Sequence, residues 1–240
     1  MTEKLCGPEE IEVRENLLRV KESIASACQK AGRDPGEVTL LAVSKTVSPE
    51  KINAAISAGV DRIGENRVQE YLQKREALLP VEAHLIGHLQ TNKVNAIVGK
   101  VAMIQSLDSL RLAAALDAAS KRLGIVTDVL AEVNIGGEES KSGISPEEAE
   151  EFCEKVREFS GLRLCGMMTV PPISDSEQKK REYFSRMWRL FVDIRDKNMD
   201  NRDMSILSMG MSDDFPEAIQ EGSTMVRIGS AIFGKRQYNI

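Results

Sequence analysis

Apolar residues recur at helical spacing near the start of the chain. Val13, Leu17, Val20, Ile24, Ala27 and Ala31 share one face and Gly32 follows as a stop, so residues 9 to 31 read as an amphipathic helix. Beyond it the period changes. Short apolar, β-branched runs near 38–44, 61–64, 83–87, 102–105, 126–134, 162–168, 206–209 and 225–228 predict eight strands. Helical periodicity fills the gaps near 49–58, 66–78, 91–98, 109–123, 146–159, 175–198 and 213–220. Several helix starts are chemically explicit: Ser48 before Pro49, Ser109 after Asp108, and a capping box in Ser145-Pro146-Glu147-Glu148. In the longest helix Tyr183, Met187, Leu190, Phe191 and Ile194 form the apolar stripe, which leaves Trp188 off it and without a cofactor-stacking role.

Strands alternating with helices imply parallel strands joined by helical crossovers. Two architectures meet that pattern, a closed barrel and a doubly wound open sheet. The barrel is favoured because polar motifs follow most of the strands around a complete ring, where a barrel builds its active site. No GxGxxG or GxxxxGK[ST] motif argues for an open-sheet nucleotide fold. The expected fold is therefore α/β: a single (β/α)8 TIM barrel over residues 1–240, with an extra N-terminal helix covering one end or flank. At 240 residues and 42% hydrophobic content the chain can bury one large core, and no Pro/Gly/Ser-rich linker divides it.

A net charge of −5 and a pI near 5.3 give no reason to expect nucleic acid or an anionic membrane as partner. The charged N-terminus lacks the apolar stretch of a signal peptide, and no run approaches the roughly 18 apolar residues of a membrane span. A cytoplasmic location is the expectation. Cys6, Cys28, Cys153 and Cys165 are scattered without CxxC pairing, which fits reduced apolar fillers better than disulfides or zinc ligands.

Candidate chemistry begins at Lys45, which ends the apolar run Leu40-Leu41-Ala42-Val43-Ser44 just before a helix start. Desolvation at a strand's carboxyl end disfavours the ammonium and makes the amine a nucleophile toward an aldehyde; the alternative is a solvated lysine in a turn. Near the other end, Ser208-Met209-Gly210-Met211-Ser212-Asp213-Asp214 follows a short strand and opens a helix. Gly210 would permit close backbone approach, Ser208 and Ser212 add hydroxyls, and free N–H groups favour an anion, unless this is a capped loop with Ser212 as N-cap. Gly229-Ser230 supplies a second donor-rich corner, and the two make a phosphate cup if the last two strands pair.

Arg227 lies two positions before Gly229, so strand alternation sends both to one side. A guanidinium only donates, so an unprotonated pyridine nitrogen would suit it; a salt bridge to Glu132 is the alternative. Asn66, after Gly64-Glu65, is suited to a ring hydroxyl, to capping the following helix, or to both. His88 orients a ligand or caps a helix, and His84 and His88 lack the third ligand a metal would need.

Five stretches, Leu41-Ala42-Val43-Ser44-Lys45-Thr46, Gly64-Glu65-Asn66, Ile86-Gly87-His88-Leu89-Gln90-Thr91-Asn92-Lys93, Ser208-Met209-Gly210-Met211-Ser212 and Val226-Arg227-Ile228-Gly229-Ser230, occur in one order. With these the chain resembles, over nearly its full length, the pyridoxal-phosphate homeostasis proteins, the YggS/PROSC family. The resemblance implies a barrel similar to the N-terminal domain of alanine racemase, holding pyridoxal 5'-phosphate (PLP) as a Schiff base on Lys45. It implies phosphate contacts from Ser212, Gly229 and Ser230, Arg227 facing the pyridine nitrogen, Asn66 near the ring and Met168 packing beside the cofactor. It further implies a PLP carrier or reservoir without established turnover, acting as a monomer, with PLP-dependent apo-enzymes as candidate recipients. Family members often carry an aromatic in place of Arg67, and Trp-His-Phe in place of Ala83-His84-Leu85.

Two other functions compete. An amino-acid racemase needs bases on both faces of the substrate α-carbon, and neither Tyr71, Tyr183 nor Tyr238 is a convincing opposing base. A Schiff-base aldolase would use Lys45 and the same phosphate cup.

Overall fold

In the computed structural model eight parallel strands close into a barrel in chain order. They are β1 (Thr39–Val43), β2 (Arg62–Glu65), β3 (Glu82–Leu85), β4 (Met103–Leu107), β5 (Thr127–Val133), β6 (Leu162–Thr169), β7 (Ile206–Ser208) and β8 (Met225–Ile228). The structure describes residues 7–174, 176–197 and 204–234, so Cys6 and Tyr238 lie outside the described residues. The expected ring of eight strands is present, and the open-sheet alternative is excluded by the β1–β8 pairing that closes it. Among the described residues no helix is long and apolar enough to cross a membrane.

Helices α1 (Pro8–Lys30), α2 (Pro49–Ser57), α3 (Val68–Lys74), α4 (Val94–Ile97), α5 (Leu110–Leu123), α6 (Ala149–Arg157), α7 (Glu177–Lys197), α8 (Phe215–Gln220) and α9 (Ser230–Phe233) accompany the strands. The predicted stripe of α1 is buried at Val13, Leu17, Val20, Ile24 and Ala27. It packs on α2, α8 and α9, so the extra helix covers the flank where the first and last units meet.

Alternation divides the core into two layers. Outward positions such as Ala42, Ile63, Leu85, Val129 and Val226 pack under the helices, while Met103, Leu130, Cys165 and Met168 form a separate cluster filling the barrel. On α7 the fully buried stripe is Phe184, Met187, Phe191 and Ile194, with Tyr183 and Leu190 only half-buried beside it. Trp188 lies on the outer surface against Gly222, where an added Cβ would stand 2.2 Å from its ring.

Departures from the sequence reading sit at the barrel mouth. The helix expected over 66–78 starts at Val68 because Arg67 stays extended and Asn66 is pressed against Gly87, where any Cβ would come within 2.4 Å of the Asn66 oxygen. The helix expected over 91–98 is a 3-10 turn, Thr91–Lys93, running into one turn of α4. The short α9 was not anticipated. Ser109 caps α5 by accepting the Leu112 N–H at 3.3 Å. Ser145 and Glu148 form the reciprocal box, each backbone N–H reaching the other's side chain at 3.3 Å, although regular helix begins one residue later.

Candidate functional site

Closure of the barrel builds the site. Register between β1 and β8 places Leu41 beside Arg227 and Ala42 beside Ile228, so the two strands end together at the mouth. Continuing the inward alternation of Leu41 and Val43 brings Lys45 to the rim, facing Gly229 and Ser230 across a pocket of about 460 Å³. Lys45 is half-buried, and Thr46 after it adopts φ +64°, a left-handed conformation rare outside glycine, which turns the chain sharply at the lysine.

Ser212 faces the same corner. Its hydroxyl oxygen accepts the N–H groups of Gly229 and Ala231, each at 3.3 Å, so the β7 and β8 loops meet around one oxygen at the position an anion's acceptor would take. Ser212 is not the N-cap of α8: Asp214 takes that place, its carboxylate accepting the Met211 N–H at 2.6 Å, and burial pushes its pKa up. Gly229 lies close under β1, where a Cβ would approach the Val43 oxygen to 3.2 Å.

Gly210 and Ser208 belong elsewhere. Gly210, at φ +94°, admits α8 rather than a ligand, because a Cβ there would stand 2.6 Å from Ala218 Cβ. Ser208 is fully buried and its hydroxyl donates to Gln105 Oε1 at 2.8 Å, inside the barrel rather than in the cup.

Arg227 points inward and is buried, as its register with Gly229 predicts. Its Nη1 donates to Ser208 Oγ at 2.7 Å and its Nη2 to the Thr169 carbonyl at 2.8 Å, two of five donors. Burial draws its pKa down to about 10, against the charges of Glu132 and Asp214, which leaves a cation at neutral pH. The considered salt bridge is not formed: among the described residues no ion pair joins Arg227 to Glu132, and Glu132 Oε2 is buried without a hydrogen-bond partner. Burial, reinforced by the Asp108 charge, raises the Glu132 pKa to about 7.

Asn66 also presents a buried acceptor, Oδ1, with no partner, and makes no cap to α3. Met168 is fully buried in the barrel on β6, in register with Glu132 of β5 on one side and Ser208 of β7 on the other. His88 stands exposed at the rim, its Nδ1 2.9 Å from Asp108 and 3.3 Å from the Ser142 hydroxyl, tying the ends of β3 and β4 to the loop after β5.

Three groups went unrecognised in the sequence. Lys74 and Glu65 form a buried pair at 2.7 Å directly behind Lys45. The one hint was that Lys74 extends the buried Val68–Tyr71 stripe by three residues. His84 and Gln105 lie inside the barrel on Ser208, and alternation along β3 and β4 was the signal. Glu132 was weighed only as a partner for Arg227.

A closed parallel barrel with a lysine at the first strand's mouth and a glycine-serine corner at the last belongs to the alanine racemase N-terminal class. The family model described as "Alanine racemase, N-terminal domain" matches residues 16–237. Within that class the chain belongs to the pyridoxal phosphate homeostasis protein family. It is 46% identical over 226 residues to the pyridoxal phosphate homeostasis protein of Aquifex aeolicus, covering 93% of this chain and 98% of that one. PipY of Synechococcus elongatus, solved with PLP bound, is 28% identical with a TM-score of 0.80, over 92% of this chain and all of that one. Alanine racemase of Clostridium difficile is similar in fold, with a TM-score of 0.77 at 17% identity, and the match spans only 58% of its chain.

Proposed function

We propose that this protein binds PLP at the carboxyl-terminal mouth of one barrel domain and serves intracellular PLP homeostasis as a non-catalytic carrier or reservoir. The carrying observation is that Lys45 and the Gly229–Ser230 corner share one pocket although they come from opposite ends of the chain. PLP supplies an aldehyde that condenses reversibly with a primary amine. Lys45 provides that amine. Ser212, Gly229 and Ser230 hold the phosphate with a hydroxyl and backbone N–H groups.

The unsatisfied Asn66 Oδ1 fits a ring hydroxyl, since a buried acceptor without a donor is costly until something completes it. Arg227 offers its remaining donors to an unprotonated ring nitrogen, a weaker electron sink than a protonated one. That weakness favours storage over turnover. The two described tyrosines support the same reading: Tyr71 donates to the Lys100 carbonyl at 2.9 Å in the outer layer, and Tyr183 packs on α7 against the outer core. The names of the relatives and the PLP in PipY point the same way. The protein acts as a cytoplasmic monomer that passes PLP to apo-enzymes.

Borohydride reduction of PLP-loaded protein followed by peptide mass spectrometry is expected to find the pyridoxyl group on Lys45. An adduct on another lysine, or none, rejects the proposal. Retained turnover of any amino acid by the loaded protein would replace the carrier reading with an enzymatic one.

A further inference from the structure

A line of side-chain hydrogen bonds runs from the mouth of the barrel to its opposite end. Arg227 Nη1 donates to Ser208 Oγ at 2.7 Å, and Ser208 donates to Gln105 Oε1 at 2.8 Å. Gln105 Nε2 lies 2.9 Å from His84 Nδ1, and His84 Nε2 lies 2.9 Å from Glu82 Oε1. These residues stand on β8, β7, β4 and β3, so the line crosses the interior rather than following one strand. Arg227, Ser208, Gln105 and His84 are buried; Glu82, at the amino end of β3, meets solvent.

The chemistry of the groups assigns a direction. A guanidinium only donates, so the Ser208 oxygen accepts and its proton goes to Gln105 Oε1. That orientation turns the Gln105 amide nitrogen toward His84 and toward Met225 Sδ at 3.1 Å. Facing a donor, His84 Nδ1 must hold the lone pair, and Nε2 carries the hydrogen given to Glu82. The reversed amide would leave the Ser208 proton without an acceptor in a dry interior and lose the contact to the Met225 sulfur. Every donor in the line therefore points from Arg227 toward the Glu82 carboxylate.

We propose that Gln105 and His84 are positioning residues for Arg227, holding its guanidinium at the floor of the mouth and setting the donor strength it presents to a bound pyridine ring. The proposal rests on the PLP reading above. Losing an acceptor along the line leaves a buried donor unsatisfied. The available relief is a shift of Arg227 toward Glu132, whose Oε2 has no partner and whose charge already acts on it. A guanidinium drawn to Glu132 is turned away from the ring.

Nitrogen-15 NMR of the PLP-free protein is expected to show His84 at neutral pH as the uncharged tautomer protonated on Nε2; protonation on Nδ1 overturns the proposed direction. In PLP-loaded protein, His84→Leu is expected to move the visible absorbance maximum and to weaken PLP retention roughly fivefold to tenfold, the size of one lost buried hydrogen bond. His84→Asn, which restores an acceptor for Gln105, is expected to recover both. An unchanged spectrum and retention in His84→Leu, with only a lower melting temperature, would reduce the line to a structural role. Should that variant fail to fold, Gln105→Glu serves instead: its two acceptor oxygens should draw a proton onto His84 Nδ1, and an unaltered tautomer rejects the inference. Failure of the wild-type protein to bind PLP would reject the function while the tautomer measurement still decides the line.

Discussion

Lys74 Nζ donates a 2.8 Å hydrogen bond to the carbonyl oxygen of Ser44, the residue immediately before Lys45. The same ammonium lies 2.7 Å from Glu65 and 3.0 Å from Glu70, and Glu70 in turn accepts the N–H of Thr46 at 2.5 Å. The Ser44 hydroxyl closes the group by donating to Glu65. Both peptide groups flanking Lys45 are thus clamped from outside the barrel, which holds the left-handed turn at Thr46 and fixes where the amine emerges.

Lys74→Met should destabilise the fold by about 3–5 kcal/mol, because it leaves Glu65, fully buried and already pushed up in pKa by burial, without its cation. Adding Glu65→Leu should recover much of that loss, since apolar replacement of a buried ion pair is often near neutral. Urea denaturation of the single and double variants checks it. A double variant no more stable than Lys74→Met would show that the pair is not the source of the cost.

Glu132 should make stability depend on pH. Its folded-state pKa is raised from 4.5 to about 7, so the native protein holds this proton more tightly than the unfolded chain does. The resulting stabilisation is full below pH 4.5 and disappears as pH rises through 7. Glu132→Gln, which mimics the protonated acid, is expected to gain about 1–3 kcal/mol at pH 8 and almost nothing at pH 4. Equal effects at both pH values would contradict the assignment.

The two residues of the β7 loop should separate in their effects. Gly210→Ala meets Ala218 at 2.6 Å in a positive-φ conformation and should lower stability by about 1–3 kcal/mol. Ser212→Ala leaves the N–H groups of Gly229 and Ala231 without their shared acceptor and is expected to weaken PLP retention with a smaller loss of stability. Parallel thermal melts and PLP titrations distinguish them, and identical profiles would show that the phosphate corner is wrongly placed.

Cys153 should resist thiol reagents in the native protein at pH 8. It is fully buried, and burial pushes its pKa up to about 12, so almost no thiolate exists to react. Labelling should appear only on unfolding; rapid native labelling of a peptide containing Cys153 would refute its burial.

The alternation of periods gave the strands and helices, since each reports by its own spacing which face it buries, and the polar motifs after most strands then favoured the barrel over an open sheet. Arg227 and Gly229 were legible as partners because a two-residue repeat places them on one side whatever surrounds them. The family resemblance joined Lys45 to the phosphate loops before any geometry was available. Local pattern could not say where a buried polar group finds its partner. Ser208 and Gly210 read as cup residues from their types, yet the hydroxyl turns inward to Gln105 and the glycine makes room for Ala218. Lys74 gave no sign in the sequence of where its charge would go, and only packing against β2 set it on Glu65.

From the chain itself came the period of every major element, the inward side of β8 and the kinds of donor available at the mouth. Tertiary structure alone decided which of those donors meet. Pairing β1 with β8 joins residues distant in sequence, and the register of that pairing depends on all eight strands closing at once, a condition no single segment can encode.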